Sequence, residues 1–310
     1  MHSLNVKWLR GVFLVFVLGL IYVLYFSYYR AHRSGIEWTM INVNQTKQQA
    51  DAHLIQIKNG KTILIDAGHR NTARSMLLPY LRKHNVKKID IVFITHPHVD
   101  HYGGLEYLLM NNIKIGEVYF NLPDKKTCDR EIPWGCNYKD VLTVRDIYSQ
   151  YGVPPKEVRA GMKFNLGPDT RMDIVYAFDG VHTPVGATSI NDMSLVMMLH
   201  YKKFKCLFTG DLDKGIGAYA AKFPDLIAAD VLKVPHHGTA STVPDAFFDA
   251  VSPEYALVPA PEGLWLSHRS ERIRSWFSKH DIPVYVNGIS GDVHVSITGT
   301  HLLVTPEFDN

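Results

Sequence analysis

Two rhythms of apolar positions divide the chain. Between Arg10 and Arg30 runs GVFLVFVLGLIYVLYFSYY, residues 11–29 without a single charge, long enough as a helix to cross a hydrocarbon core of roughly 30 Å. The run exceeds a usual cleavable signal core, and FSYYRAHRSG offers no small-residue cleavage site. The pattern therefore predicts a short tail (1–10), one transmembrane anchor (11–29), a linker (30–35) and a domain over 36–310.

Beyond the linker the apolar runs shorten and alternate. WTMINV, AHLIQI, KTILIDAG, DIVFITH, EVYFN, MDIVYAF, SLVMMLHY, FKCLFTGD, VLKVPHH, YALVPA, PVYVN and DVHVSIT read as strands. NTARSMLLPYLRKHN, GGLEYLLMNN, YKDVLTVRDIYSQYG, IGAYAAKF, VPDAFFDAV and SERIRSWFSKH repeat apolar residues at three- and four-residue steps and read as helices. Strands paired early and late, with helices between, predict one α+β domain in which two mixed sheets pack face to face under outer helices, a four-layer αββα sandwich.

Composition changes this picture little. The 310 residues are 46% hydrophobic and 20% charged with a formal net charge of +3, which suits a globular domain and gives no electrostatic argument for a nucleic-acid track. Lys7 and Arg10 precede the apolar run and Arg30 and Arg33 follow it, a slight bias toward a cytoplasmic N-terminus and an outer domain. Cys128 and Cys136 flank the polar loop DREIPWG. They suit either a disulfide in an oxidising exterior or two unpaired thiols, whereas Cys206, in FKCLF, reads as buried packing.

Chemistry concentrates in ITHPHVDHYGG, residues 94–104. His96 and His98, two apart on extended chain, point the same way. Asp100 and His101 fall in the following turn and face a neighbouring point about 3.5 Å away, the separation of a two-metal hydrolytic site. Imidazoles with a carboxylate suit zinc, with manganese or iron as alternatives. His53, His69, His84, His200, His280, His294 and His301 read as ordinary surface or strand histidines.

THPHVDHYGG matches the HxHxDH signature of the metallo-β-lactamase superfamily. DAG at Asp66–Gly68, FTGD at Phe208–Asp211 and LKVPHHG at Leu232–Gly238 resemble its other motifs. Within it, NDMSLVM, FTGD, LKVPHHGT and the closing run from WLSHRS resemble the hydrolase domain of ComEC-type competence proteins and similar stand-alone hydrolases, over about residues 36–300. The resemblance implies the αββα fold and two divalent ions. Asp211 would bridge them and His237 would be the last histidine ligand, with His236 either a ligand or a support behind one.

Two departures stand out. The histidine that most relatives carry just before SLVMML is absent, and Ile190, Asn191 and Asp192 occupy the stretch. The first metal is then left with His96, His98 and Asp211; His182 could swing in as a replacement but reads first as a surface-loop histidine. His268, placed near the metals by the resemblance, is followed by Arg269 where a proline is usual.

The implied reaction is phosphodiester hydrolysis by a water that two metals acidify, with Asp100 orienting the nucleophile and His268 stabilising the leaving group. Substrates would be nucleic acid, a phosphorylated cell-surface polymer or a small molecule, at a bacterial membrane. Acyl or lactone hydrolysis and a weakly catalytic binding module are the competing readings, while the absent histidine argues against β-lactam hydrolysis.

Overall fold

Along Lys88–Ile94, Ile91 and Phe93 face one apolar core while Val92 and Ile94 face another. A strand covered on both faces belongs to an inner layer. The same holds on a second sheet, where Met197 and Leu199 of Val196–Tyr201 join the core of Ile91 and Phe93, and Val196 and Met198 join a third. The core shared by the sheets thus lies between them, and each outer core lies under helices. This is the αββα layering expected from the sequence.

The computed structural model describes residues 35–130, 136–178, 184–186 and 189–308, together with 17, 19, 21 and 22. The expected anchor over 11–29 lies outside these apart from those four positions, as do the tail and His182. Among the described residues no helix is long and apolar enough to cross a membrane.

The first sheet holds β1 (Gly35–Met40), β2 (His53–Ile57), β3 (Thr62–Ile65), β4 (Lys88–Ile94), β5 (Lys114–Phe120), β13 (Val293–Thr298) and β14 (His301–Pro306), in the order β14-β13-β1-β2-β3-β4-β5. The second holds β6 (Lys163–Gly167), β7 (Thr170–Tyr176), β8 (Val196–Tyr201), β9 (Phe204–Phe208), β10 (Val231–Lys233), β11 (Tyr255–Pro261) and β12 (Val284–Val286), in the order β12-β11-β10-β9-β8-β7-β6. Two of these, β6 and β14, were not expected from the pattern. Both are edge strands with largely solvated side chains, so neither carries the apolar alternation that marks a strand in sequence.

Parallel pairing of β3 with β4, and of β9 with β10 and β10 with β11, brings the carboxyl ends of these strands to one rim. Clefts at such ends are where open α/β sheets place ligands. Cys128 and Cys136 are joined in a disulfide and Cys206 is a buried free thiol.

Candidate metal centre

The chain leaves β4 at Ile94, bends at His96 and Pro97 rather than staying extended as expected, with His98 N donating to His96 O (3.0 Å), and coils into the short helix Val99–Tyr102. That switch places Asp100 and His101 in a first helical turn beside the histidines just upstream. Backbone bonds hold the turn: Ala67 N donates to His101 O (2.7 Å), Asp51 N to Asp100 O (3.2 Å) and Gly104 N to Gly68 O (2.8 Å). The Gly-Gly pair is a packing requirement, since a Cβ on Gly104 would stand 2.0 Å from Ala67 O.

Two imidazoles reach the centre with their orientation fixed from behind. His101 Nδ1 lies 2.7 Å from Asp66 Oδ2; the Thr95 hydroxyl donates to that same oxygen and the Thr95 amide to Oδ1, at 2.8 Å each. His237 Nδ1 lies 2.7 Å from the Pro259 carbonyl. Both partners accept, so Nδ1 donates in each ring and Nε2 is left for a ligand. Reaching this pose puts His236 (φ 47°), His237 (φ 53°) and Gly238 (φ 72°) successively in the left-handed region. Two non-glycine residues there store strain of the kind that gathers at functional sites.

Asp211, just past β9, joins the two halves. Its Oδ2 is 3.3 Å from His101 Nε2 and 3.1 Å from His237 Nε2, and His237 Nε2 is 3.5 Å from Asp100 Oδ2. Ligand atoms of Asp100, His101, Asp211 and His237 all lie within 4.8 Å of one another. Four donors around zinc at 2.0–2.1 Å sit roughly 3.3 Å apart along a tetrahedral edge. The observed separations fit that edge, and the Nε2 atoms of His96, His101 and His237 are buried without a hydrogen bond of their own. The donor set therefore fits a divalent cation.

Electrostatics agree. Burial disfavours charge on each group, yet Asp211 is held well below the usual carboxylate range by His237 and His101, and Asp100 is drawn down to about 2 by His101 and His237. Against the same burial, Asp211 foremost raises His101 well above its usual value and His237 to about 10. Protons on these rings thus balance the carboxylates, as a dication would.

The His96/His98 half is different. The His96 ring stands 4.6 Å from that of His98 and 4.1 Å from that of His101, centroid to centroid, and burial, then His101 and His98, keeps it neutral by lowering its pKa well below 6.5. Neither His96 nor His98 belongs to the tight four-residue cluster. Of the residues replacing the missing histidine, Asp192 turns away to accept the Asp213 and Ile216 amides at 3.1 and 3.2 Å. Asn191 instead faces His236, Nδ2 to Nε2 at 3.5 Å, which puts His236 beside the vacated position rather than among the Asp100/His101 ligands.

His268 lies exposed on the turn His268–Ser270 with no side-chain hydrogen bond or ion pair among the described residues. Its segment leans on the centre from outside: Trp265, in the turn before it, packs where a Cβ on Gly238 would be, at 2.8 Å. Three residues that motif reading passed over are built into the site. Asp51 and Lys233 are buried together at 2.6 Å behind the ligands, and His53, read as an ordinary strand histidine, is buried with Nε2 3.7 Å from Asp51.

A sequence profile described as "Metallo-beta-lactamase superfamily" matches residues 46–114. ComE operon protein 3 of Bacillus subtilis is 26% identical over 221 residues, covering 70% of this chain and 26% of that protein. Endoribonuclease YSH1 of Saccharomyces cerevisiae is 24% identical over 209 residues, covering 62% of this chain and 25% of that protein. The chain thus spans about a quarter of the length of these relatives. In fold, it is similar to the metallo-beta-lactamase fold protein YhfI of Bacillus subtilis, with a TM-score of 0.51 at 12% identity over 87% of this chain and 100% of that one. Residues 46–114 thus match the metallo-β-lactamase superfamily, and over most of its length the chain is similar to the ComEC-type ComE operon protein 3.

Proposed function

We propose that the chain is a membrane-anchored hydrolase that cleaves phosphodiester bonds in nucleic acid or in a phosphorylated cell-surface polymer, using two divalent ions, zinc or manganese. Asp100, His101 and His237 would hold one ion and His96 and His98 the other, Asp211 would serve both, and His236 would stand at the weaker first site. When bound, such ions supply an acidified water and a positive anchor for a phosphoryl oxygen. Asp100 would orient the attacking water. His268, with Arg269, receives charge on the leaving side.

The observation that carries this reading is the 3.1–3.5 Å spacing of Asp100, His237, His101 and Asp211 donor atoms. Phosphodiester chemistry is supported by the endoribonuclease among the relatives. The anchor and outer location are supported by the 11–29 run and by a disulfide suited to an oxidising exterior.

The test is turnover by the full chain in detergent, loaded with zinc or manganese, on bis-p-nitrophenyl phosphate and on p-nitrophenyl butyrate. Metal-dependent release from the phosphodiester is expected. Release from the acyl ester alone would replace this reading with acyl hydrolysis, and release from neither would favour a binding module.

A further inference from the structure

Lys233 is the one buried lysine or arginine among the described residues, 1% exposed. Its strand explains how it is buried but not why. In Val231–Lys233, Val231 faces the core between the sheets and Leu232 the outer one, so alternation turns Lys233 back between the sheets. A third apolar residue there would pack at no cost, whereas a buried ammonium is costly unless fully partnered.

The partners are specific. Lys233 Nζ lies 2.6 Å from Asp51 Oδ2, 2.6 Å from the Gly210 carbonyl and 3.6 Å from Asp211 Oδ1. The ammonium donates to the Gly210 carbonyl and is ion-paired with the carboxylates of Asp51, closely, and Asp211, at longer range. Asp51 comes from the other sheet's loop, fully buried. Its carboxylate stands behind both imidazoles of the tight cluster, 3.8 Å from His101 Nδ1 and 4.0 Å from His237 Nδ1.

The geometry sorts the two oxygens of Asp211. Oδ1 is on the lysine side, while Oδ2 faces His101 and His237 at 3.3 and 3.1 Å. We propose that Lys233 is a positioning residue of the metal centre. Braced across the two sheets by Asp51, it holds Asp211 so that Oδ2 faces the metals, and thereby sets metal affinity and turnover without touching substrate. The pair also ties the sheet bearing His96–His101 to the sheet bearing Asp211 and His237, which fixes the two halves of the ligand set against each other. Four buried carboxylates, Asp51, Asp66, Asp100 and Asp211, crowd the centre, and Lys233 is the fixed positive charge among them.

This rests on the reading of Asp211, His101 and His237 as ligands. The experiment compares the full chain in detergent with K233M/D51N, a double variant that removes both charges and so leaves no unpaired ion buried. Metal-stripped samples are titrated with zinc against a chromophoric chelator, melted without metal, and assayed on bis-p-nitrophenyl phosphate.

The expected result is an apoprotein that melts no lower than wild type, yet binds zinc about 10- to 100-fold more weakly, the usual cost of losing a support behind a ligand. The rate kcat falls with it while KM stays within twofold. Zinc affinity and kcat within twofold of wild type would overturn the proposal. So would a double variant that fails to fold, because the pair's task would then be structural. A wild type that binds no zinc would overturn the reading of the centre itself, and the role of Lys233 with it.

Discussion

The rings of His101 and His237, carried by different sheets, stand 5.6 Å apart and direct Nε2 at one oxygen, Asp211 Oδ2. Neither sheet holds the site alone. It exists only when the sheets dock, so removing the shared carboxylate should empty it while the separate hydrogen bonds behind each ring survive. Asp211→Ala is expected to lower turnover by about a thousandfold or more, since metal polarisation supplies several kcal/mol of transition-state stabilisation. Elemental analysis of the same variant should show metal lost in parallel.

Metal binding is expected to release protons. Asp211 foremost, opposing burial, raises His101 well above 6.5 and His237 to about 10, so at pH 7 both rings of the apoprotein are charged. Zinc needs the neutral nitrogen and expels one proton from each. His96, kept neutral by burial, contributes none. Affinity should therefore rise with pH and fall on acidification, by about a factor of ten per pH unit for each proton released. Calorimetry in two buffers of different ionisation heat should give about two protons per zinc at this half of the site.

The first-metal half should be repairable. Asn191 lies in the stretch where the resemblance to the wider superfamily leads one to expect a histidine, and faces His236 at 3.5 Å. Asn191→His is expected to strengthen metal binding there by about tenfold or more, as a third imidazole completes the set. Metal content after dialysis against a weak chelator reads this directly, and unchanged retention would place Asn191 away from the metal.

Much of this was legible in sequence, and the reason is local. His96, His98, Asp100 and His101 fit on one strand end and one helical turn, so spacing alone exposes them. Asp211 and His237 were found only through motifs, because a strand-end carboxylate and a histidine in a turn are uninformative until sheet pairing aligns them. Asp51, His53 and Lys233 were passed over for a related reason. Each sits in or beside a strand, and only the docking of the two sheets, which no local pattern encodes, reveals that Lys233 meets Asp51.

The disulfide bears on location. Cys128 and Cys136 are bonded, and the proposed outer placement of the domain predicts that this bond forms in vivo. Maleimide labelling of intact cells should modify neither thiol before reduction and both after it. Labelling without reduction would move the domain to a reducing compartment.

Two metal ions gathered between the sheets are what the proposed chemistry requires. The direct measurement is metal content of the purified full-length protein after exhaustive dialysis in zinc-free buffer, following zinc loading. Close to two equivalents per chain is predicted, falling to below one in Asp211→Ala. Less than one equivalent in the wild type, or the same content in both proteins, would contradict the account.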